Sequence, residues 1–281
     1  MGIARTGTVS VLGVGRMGSA LIQAFLSREI LRKKQIVGTH HDPRKARRIR
    51  RALGITVVTD NRAAVARSNM VLLCVRPQQM PALLDEMADS ILPRHTVVSV
   101  AVGVLLSWLK KRLPRCGALF HVHPPSQLTT GATGLSFLAR TRRSPAARLR
   151  QVTVLFRGFG PVVCVPEKQI DACAVFAGCG PAFWAHLGLT WANLGGRFGI
   201  PPSIARQILA ATLSGLARGT EGGTANLERL IENIATPGGI TEAGIHFLDK
   251  ARVEDILNAM VVHCLARIGS IRGQFTSAPV V

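Results

Sequence analysis

Six residues near the amino terminus have the types and spacing of a dinucleotide-binding turn. The segment Gly13-Val14-Gly15-Arg16-Met17-Gly18 directly follows one apolar run and opens an amphipathic stretch. In such a segment the first glycine makes a tight turn, the second lets a pyrophosphate approach the backbone, and the third permits close packing. A plain strand-to-helix turn is the alternative. We predict a cofactor site formed by Gly13, Gly15, Arg16, Met17 and Gly18.

The end of the next strand-like run indicates which dinucleotide binds. It reads Thr39-His40-His41-Asp42-Pro43-Arg44-Lys45. An acid at this place holds the ribose hydroxyls of NAD, whereas cations accommodate the 2′-phosphate of NADP. Asp42 favours NAD, but it lies past the strand end beside Arg44 and Lys45. We predict NADP(H), NADPH preferred over NADH, with His41 and Arg44 in contact, because arginine makes fork-shaped phosphate contacts. The alternative is that these arginines form a solvated helix face.

The net charge of +20 is concentrated in the first part of the chain. Residues 1–165 contain 26 Lys and Arg against 6 Asp and Glu, and residues 166–281 contain 9 of each. A positive field attracts phosphorylated cofactors, carboxylate substrates and nucleic acids alike. The basic clusters lack interleaved aromatic residues, and tyrosine is absent, which argues against nucleic acid as the partner. We expect a small-molecule ligand.

The elements that must position these residues alternate between strand and helix. Strands are predicted over 9–12, 35–39, 70–75, 96–100, 118–122 and 161–165, and helices over 17–28, 44–53, 78–90 and 145–156. This pattern is typical of an α/β fold with a doubly wound, mostly parallel sheet of the Rossmann type. After residue 165 strand-like runs vanish and long apolar-periodic segments follow. We predict a dinucleotide-binding domain over 1–165 and an all-helical substrate and dimerisation domain over 166–281.

Composition bounds the location and the type of chemistry. Apolar runs such as 97–106 and 204–216 are short or interrupted, so we expect no transmembrane span and a cytoplasmic protein. Six cysteines have no paired short spacing, which favours buried free thiols and no metal site. The apolar helical segments of the second half predict a homo-oligomer, a dimer at least.

The chain resembles the pyrroline-5-carboxylate reductase family. The resemblance rests on the glycine turn and on five further segments in the same order: Thr59-Asp60-Asn61, Val75-Arg76-Pro77-Gln78, Val98-Ser99-Val100-Ala101-Val102-Gly103, Gly178-Cys179-Gly180-Pro181-Ala182-Phe183 and Thr236-Pro237-Gly238-Gly239-Ile240-Thr241. It implies a helical domain interleaved with that of a partner chain, NADPH or NADH as cofactor, and reduction of a cyclic imine to proline. No metal or nucleophile is needed for such a hydride transfer.

The resemblance also implies roles for individual residues. Thr241 would meet the imine nitrogen, and the backbone of Gly238, Gly239 and Ile240 would hold the substrate carboxylate. Thr241 could instead be an ordinary helix N-cap. Gly180 and Pro181 would let cofactor and substrate approach closely, or would merely begin a helix. The remaining predicted positions are His123 for the substrate and, for the cofactor, Asn61, Val75, Arg76, Pro77, Ala101 and Gly103.

Several residues depart from the family pattern. The usual Met-Pro-Asn-Thr-Pro segment is His123-Pro124-Pro125-Ser126-Gln127 here, so an active-site asparagine has become proline. Glu242 adds a negative charge that would disfavour a bound carboxylate unless it points away. Three explanations remain open: a divergent proline-pathway enzyme, a paralogue that reduces another imine, or a cofactor binder with little catalysis. His121 and His123 could bind an anion or supply a proton when protonated, or could simply pack and hydrogen-bond to backbone carbonyls.

Overall fold

The computed structural model describes residues 7–220 and 223–276, which group into two compact units. The first unit comprises the chain up to Cys179 together with the residues from Cys264 onward, and the second comprises Gly180–His263. The first contains an eight-stranded sheet: β1 Val9–Leu12, β2 Ile36–Thr39, β3 Thr56–Val58, β4 Met70–Leu73, β5 Thr96–Ser99, β6 Ala118–His123, β7 Ser136–Arg140 and β8 Val162–Cys164.

The strand order is β3-β2-β1-β4-β5-β6-β7-β8, which is doubly wound about β1 and β4. Neighbouring strands run parallel except for the antiparallel pair β6 and β7. The predicted fold class is confirmed. Strands β3 and β7 were missed in the sequence, because β3 is a three-residue edge strand and β7 lies beyond a loop without apolar periodicity.

Helices cover both faces of the sheet. They are α1 Arg16–Ser27, α2 Pro43–Leu53, α3 Asn61–Ala66, α4 Met80–Met87, α5 Leu106–Arg112, α6 Ala146–Arg157 and α7 Glu167–Cys173. One core, around Phe25, Phe156 and Phe159, packs α1 and α6 against the sheet. A second core, around Leu84 and Leu109, packs α4 and α5 on the other face. Burial of both faces explains the near-continuous apolar strands.

The second unit is helical, as predicted. A π-helical turn, Ala174–Cys179, leads into α8 Gly180–Arg197, followed by α9 Pro202–Gly219, α10 Thr224–Ile234, α11 Ile240–Lys250 and α12 Val253–Thr276, which continues into the first unit. Large apolar side chains on these helices are exposed, among them Trp184, Leu189, Trp191 and Phe247. Apolar surface of this extent requires a partner that covers it.

The predicted domain boundary at residue 165 remains a prediction. The change from strand to helix does fall between β8 and α7, but the compact units divide after Cys179 and again before Cys264. The reason is that the helices at both junctions run on across the division.

One continuous helical run, Glu167–Arg197, is long and apolar enough to cross a bilayer by length and composition alone, with 22% of its window buried. The sequence prediction considered only shorter runs and missed it.

All six cysteines are free thiols. The expectation that they are buried holds only in part for Cys74, Cys116, Cys173 and Cys264, which are half-buried. Burial raises the pKa of Cys74 to about 12. The expectation is wrong for Cys164 and Cys179, which are exposed. Among residues 7–220 and 223–276, no group of three His, Cys, Asp or Glu side chains is placed to hold a metal ion.

Candidate active site

A cavity of about 1170 Å³ opens at the carboxyl ends of the central strands of the first unit. Its floor follows the strand order, from the ends of β2 and β1 through those of β4 and β5 to the end of β6. This edge, at the switch point of a doubly wound sheet, is where ligands bind in such folds. The cavity exceeds the usual 300–1,000 Å³ or so of small-ligand sites, which suits a long, two-part ligand.

The glycine turn has the geometry that its sequence predicts. Gly13 has φ +88°, and a Cβ there would lie 2.6 Å from Cγ1 of Val75. A Cβ on Gly18 would lie 2.7 Å from the carbonyl oxygen of Gly13, so α1 packs directly on the turn. A Cβ on Gly15 would meet nothing within 4 Å, because this side of the turn faces open space. The first and third glycines are required by the fold, and the second leaves room for a ligand.

The space beside Gly15 is suited to an anion. Gly15 is the N-cap of α1 and makes no side-chain cap, and no acidic residue lies in the first turn of this helix. Unpaired N–H groups and the helix dipole favour negative charge at such an end. The residues present therefore fit the pyrophosphate of a dinucleotide.

The end of β2 is fixed to the turn. The backbone N–H of Gly13 donates to Oγ1 of Thr39 at 3.1 Å, and that of Val14 donates to the Thr39 carbonyl at 2.8 Å. The rings of His40 and His41 stack with centroids 4.7 Å apart and line the cavity. The pKa of His40 is lowered, mainly by burial and also by the nearby His41 and Lys45.

Asp42 serves as a helix cap. Its carboxylate accepts hydrogen bonds from the backbone N–H groups of Arg44 at 2.8 Å and Lys45 at 3.2 Å, which lower its pKa. A carboxylate engaged in this way at the start of α2 is not directed to a ribose. Arg44 itself is exposed on the first turn of α2.

The far wall is formed by α4 and the end of α12. Glu86 accepts hydrogen bonds from the backbone and side-chain nitrogens of Asn61, at 3.1 and 2.8 Å. Gln78 donates to Gln274 of α12 at 3.1 Å. Arg272 on the same helix donates to the carbonyl oxygen of Gly103 at 3.0 Å and forms a salt bridge with Asp171. The loop after β5 is thus anchored by the carboxyl-terminal helix.

The two histidines of β6 are neutral at physiological pH. Burial lowers the pKa of His121 to about 3, assisted by His123 and the charge of Arg272. Burial lowers the pKa of His123 to about 4, with Asp171 opposing the shift. The hypothesis of protonated imidazoles is therefore wrong. The alternative, in which the rings hydrogen-bond to backbone carbonyls, is also wrong for His123. Neither of its ring nitrogens has a hydrogen-bond partner among the described residues.

In the second unit, Thr241 is the second residue of α11 and is exposed. The N-cap of this helix is Gly239, so the interpretation of Thr241 as an N-cap hydroxyl is wrong. The N–H of Gly238 donates to Oε2 of Glu242 at 2.8 Å, and that of Gly239 donates to the Thr236 carbonyl at 2.8 Å. The N–H groups of the first helical residues have no partner within α11 because of helix geometry.

Comparison with known proteins matches both halves of the chain. Residues 167–271 match the family model described as pyrroline-5-carboxylate reductase dimerisation, and residues 8–103 match the one described as NADP oxidoreductase coenzyme F420-dependent. Pyrroline-5-carboxylate reductase 3 of Xenopus laevis is 28% identical over 255 residues, which cover 90% of this chain and 92% of that protein. The chain is thus similar to pyrroline-5-carboxylate reductases along most of its length.

Two further proteins show the same similarity. Pyrroline-5-carboxylate reductase of Synechocystis is 28% identical over 86% of this chain and 90% of its own. The crystal structure of pyrroline carboxylate reductase from Plasmodium falciparum, with NADP bound, has a TM-score of 0.83 at 18% identity over 96% of this chain and all of that one, which shows a common fold. These relatives support an NAD(P)H-dependent oxidoreductase, and the match to the dimerisation model supports homo-oligomerisation.

The structure brings eleven of the residues predicted for the pyrroline-5-carboxylate reductase site to one cavity. They are Gly13, Gly15, Arg16, Met17, His41, Asn61, Val75, Arg76, Pro77, Ala101 and His123. Three others do not line it: Gly18 lies under the turn, Arg44 is exposed on α2, and Gly103 lies in the anchored loop. Gly180, Pro181, Gly238, Gly239, Ile240 and Thr241 belong to the second unit.

Sequence reasoning missed several lining residues. Leu83 and Glu86 come from α4, and Ile271 comes from α12. The amphipathic pattern of 78–90 could have marked the α4 residues as facing the sheet edge, but not which of them reach the cavity. No local signal relates Ile271 to a turn more than 250 residues earlier.

Proposed function

We propose that the chain reduces 1-pyrroline-5-carboxylate to L-proline with NADPH. The observation that supports this most is the open space beside Gly15, at an acid-free helix start in a cavity that continues to the end of β6. The names of the relatives supply the substrate class.

The cofactor would be held along the strand ends. Gly13, Gly15 and Arg16 would receive the pyrophosphate, and His41 and Arg44 the adenosine end. NADPH is favoured over NADH because Asp42 is engaged as the cap of α2, while the cations that follow it are exposed. The neighbouring structure with NADP bound supports the same choice.

When bound, the nicotinamide supplies a hydride to the imine carbon. The chain must then fix the substrate carboxylate and deliver a proton to the imine nitrogen. We assign proton donation to the hydroxyl of Thr241 and carboxylate binding to the backbone of Gly238, Gly239 and Ile240. Gly180 and Pro181 would allow close approach at the start of α8. The helix-start N–H groups of α11 support the anion site, and Glu242 opposes it.

The assembly is proposed to be a homodimer or to be built from homodimers, because the described helices of the second unit expose apolar side chains that a second copy would cover. The cytoplasmic location also stays a prediction.

Purified protein mixed with pyrroline-5-carboxylate and NADPH or NADH, followed by absorbance of the reduced nicotinamide, tests the proposal. Thr241→Ala is expected to lower kcat by about 100-fold, the lower end of general acid contributions. Thr241→Ser keeps the hydroxyl and serves as the matched control. Full activity of Thr241→Ala would show that Thr241 is not the proton donor. A wild-type protein that binds NADPH but is inactive would show that 1-pyrroline-5-carboxylate is not its substrate.

A specific observation favours a second candidate, the reduction of another cyclic imine. Pro125 stands where the family has an active-site asparagine, so an amide donor and acceptor are lost beside His123. Such a paralogue would bind NADPH with the same residues but would turn over other cyclic imines faster. The same assay with a series of imines separates the two functions.

A further inference from the structure

His123 is a buried polar residue whose hydrogen-bonding capacity is unused. It is the last residue of β6 and lines the cavity, and its Nδ1 and Nε2 are both shielded from solvent without a partner among the described residues. Leaving a buried polar group without a hydrogen-bond partner is unfavourable, because the group has lost its water. Groups of this kind in a folded protein therefore call for an explanation, of which a ligand is one.

A glycine leaves room for the ring. A Cβ on Gly178, in the π-helical turn Ala174–Cys179, would lie 2.3 Å from Nε2 of His123. Only glycine leaves room for the imidazole at this point. Single π-helical turns occur frequently at functional sites. The edge of the ring that carries Nε2 thus lies against this turn.

The place of His123 in the sheet separates it from the cofactor. The glycine turn follows β1, and β4 and β5 lie between β1 and β6. At a spacing of about 4.8 Å per strand, β6 is roughly 14 Å from β1. Val75 and Ala101, at the ends of β4 and β5, line the cavity and would hold the nicotinamide half of a dinucleotide. The end of β6 is left for the second reactant.

The charge state of the ring limits what it can do. Burial lowers the pKa of His123 to about 4, so the imidazole is neutral at pH 7 and has one N–H donor and one acceptor nitrogen. The nearby carboxylate of Asp171 is engaged by Arg272 and by the N–H of Gly103. A neutral donor can bind a carboxylate without acting as a proton source.

We propose that His123 is a specificity-determining residue whose ring N–H donates a hydrogen bond to the carboxylate of the imine substrate. The inference rests on the proposed function and deepens it, since it names a substrate contact on the Rossmann unit. It also gives the carboxylate a partner other than the Gly238 N–H, which Glu242 occupies.

The test is steady-state kinetics of His123→Leu, with 1-pyrroline-5-carboxylate and with 1-pyrroline, which has no carboxylate. We expect KM for the carboxylate substrate to rise at least tenfold, kcat to change less than threefold, and KM for NADPH and the kinetics with 1-pyrroline to stay within twofold. His123→Asn or His123→Gln, which retain an N–H near Nδ1 or Nε2, should recover part of the loss. Gly178→Ala, which displaces the ring, should act in the same direction.

His95→Gln is the matched control, because His95 is also fully buried with an unpartnered Nε2. It lies just before β5, at the amino ends of the strands and away from the cavity at their carboxyl ends. Unchanged melting temperature and NADPH binding show that each variant is folded. An unchanged KM for the carboxylate substrate in His123→Leu, or an equal rise in KM for NADPH, overturns the inference while leaving the proposed function intact. A wild-type enzyme that reduces no imine overturns both.

Discussion

Glu242 accepts a hydrogen bond from the backbone N–H of Gly238, with 2.8 Å between Oε2 and the nitrogen. This contact closes the loop ahead of α11 with the protein's own carboxylate. The N–H that the family resemblance assigns to a substrate carboxylate is therefore already bonded, and a like charge lies beside it. A bound carboxylate has to compete with Glu242 for this position.

Neutralising that charge is expected to improve substrate binding. Glu242→Gln keeps an acceptor for Gly238 but removes the negative charge, so KM for an anionic imine should fall about fivefold, or about 1 kcal/mol, with kcat nearly unchanged. Steady-state kinetics at low ionic strength measures it. Asp249→Asn, exposed on the same helix, removes an equal charge and should have a smaller effect. Equal effects of the two variants would mean that both act through the overall charge of the protein and not through a local effect of Glu242 on the substrate site.

The glycine turn allows folding and cofactor binding to be separated. Gly13→Ala should destabilise the fold by about 1–3 kcal/mol, because it combines a positive φ with a collision against Val75. Gly15 has φ −93°, and its Cβ position is open, so Gly15→Ala should change stability by less than about 0.5 kcal/mol. It should nevertheless weaken NADPH binding at least tenfold, because the methyl group occupies the space that a pyrophosphate needs.

Thermal unfolding and NADPH fluorescence titration distinguish the two variants. Normal NADPH affinity in Gly15→Ala would place the pyrophosphate elsewhere. A Gly13→Ala protein as stable as wild type would mean that the turn can relax.

The parts of the fold that the sequence predicted are those with local causes. The strands β1, β4 and β5 are buried on both faces, so their apolar runs are continuous and easily recognised. Strand β3 is partly exposed at a sheet edge, and only its pairing with β2 makes it a strand. Such tertiary pairing leaves no periodicity to detect.

The residues of the candidate site also fall into those that local sequence predicts and those that tertiary packing brings in. The glycine turn and the end of β2 are local and could be predicted, whereas Ile271 reaches the cavity because a helix from the end of the chain packs beside β5. The sequence showed that His121 and His123 alternate on a strand but suggested protonation. Their neutrality follows from burial, which depends on the packing of β7 and of residues 170–178 around β6.

The cations after Asp42 provide a test of the cofactor preference. Arg44→Ala should raise the dissociation constant of NADPH about tenfold and that of NADH less than twofold, because only NADPH has a 2′-phosphate for a guanidinium to bind. Arg51→Ala, exposed at the other end of α2, removes the same charge and is the control. Fluorescence titrations at 0.05 and 0.5 M salt would show whether the effect is a contact or a long-range field. Equal losses for both dinucleotides would contradict a role at the 2′-phosphate.

The buried histidines predict how stability depends on pH. An unfolded histidine has a pKa of about 6.5, whereas burial lowers the pKa of folded His121 to about 3 and of folded His123 to about 4. Below pH 6.5 the unfolded chain binds protons that the folded protein excludes. Their contribution is therefore fully present above pH 6.5 and is lost as the pH falls towards 4. Two such groups should together lower the free energy of unfolding by about 2–3 kcal/mol between pH 7.5 and 5.5.

Urea unfolding at these two pH values, at one protein concentration, measures the loss. His123→Leu removes one of the two groups, so its stability should fall by about 1.4 kcal/mol less than that of wild type over the same interval, whatever its stability at pH 7.5. His246→Gln, at an exposed position of α11, is the control for removal of a histidine. If His123→Leu and wild type lose the same free energy between pH 7.5 and 5.5, the imidazole of His123 is not held neutral by the fold, because a group excluded from protonation must contribute to that difference.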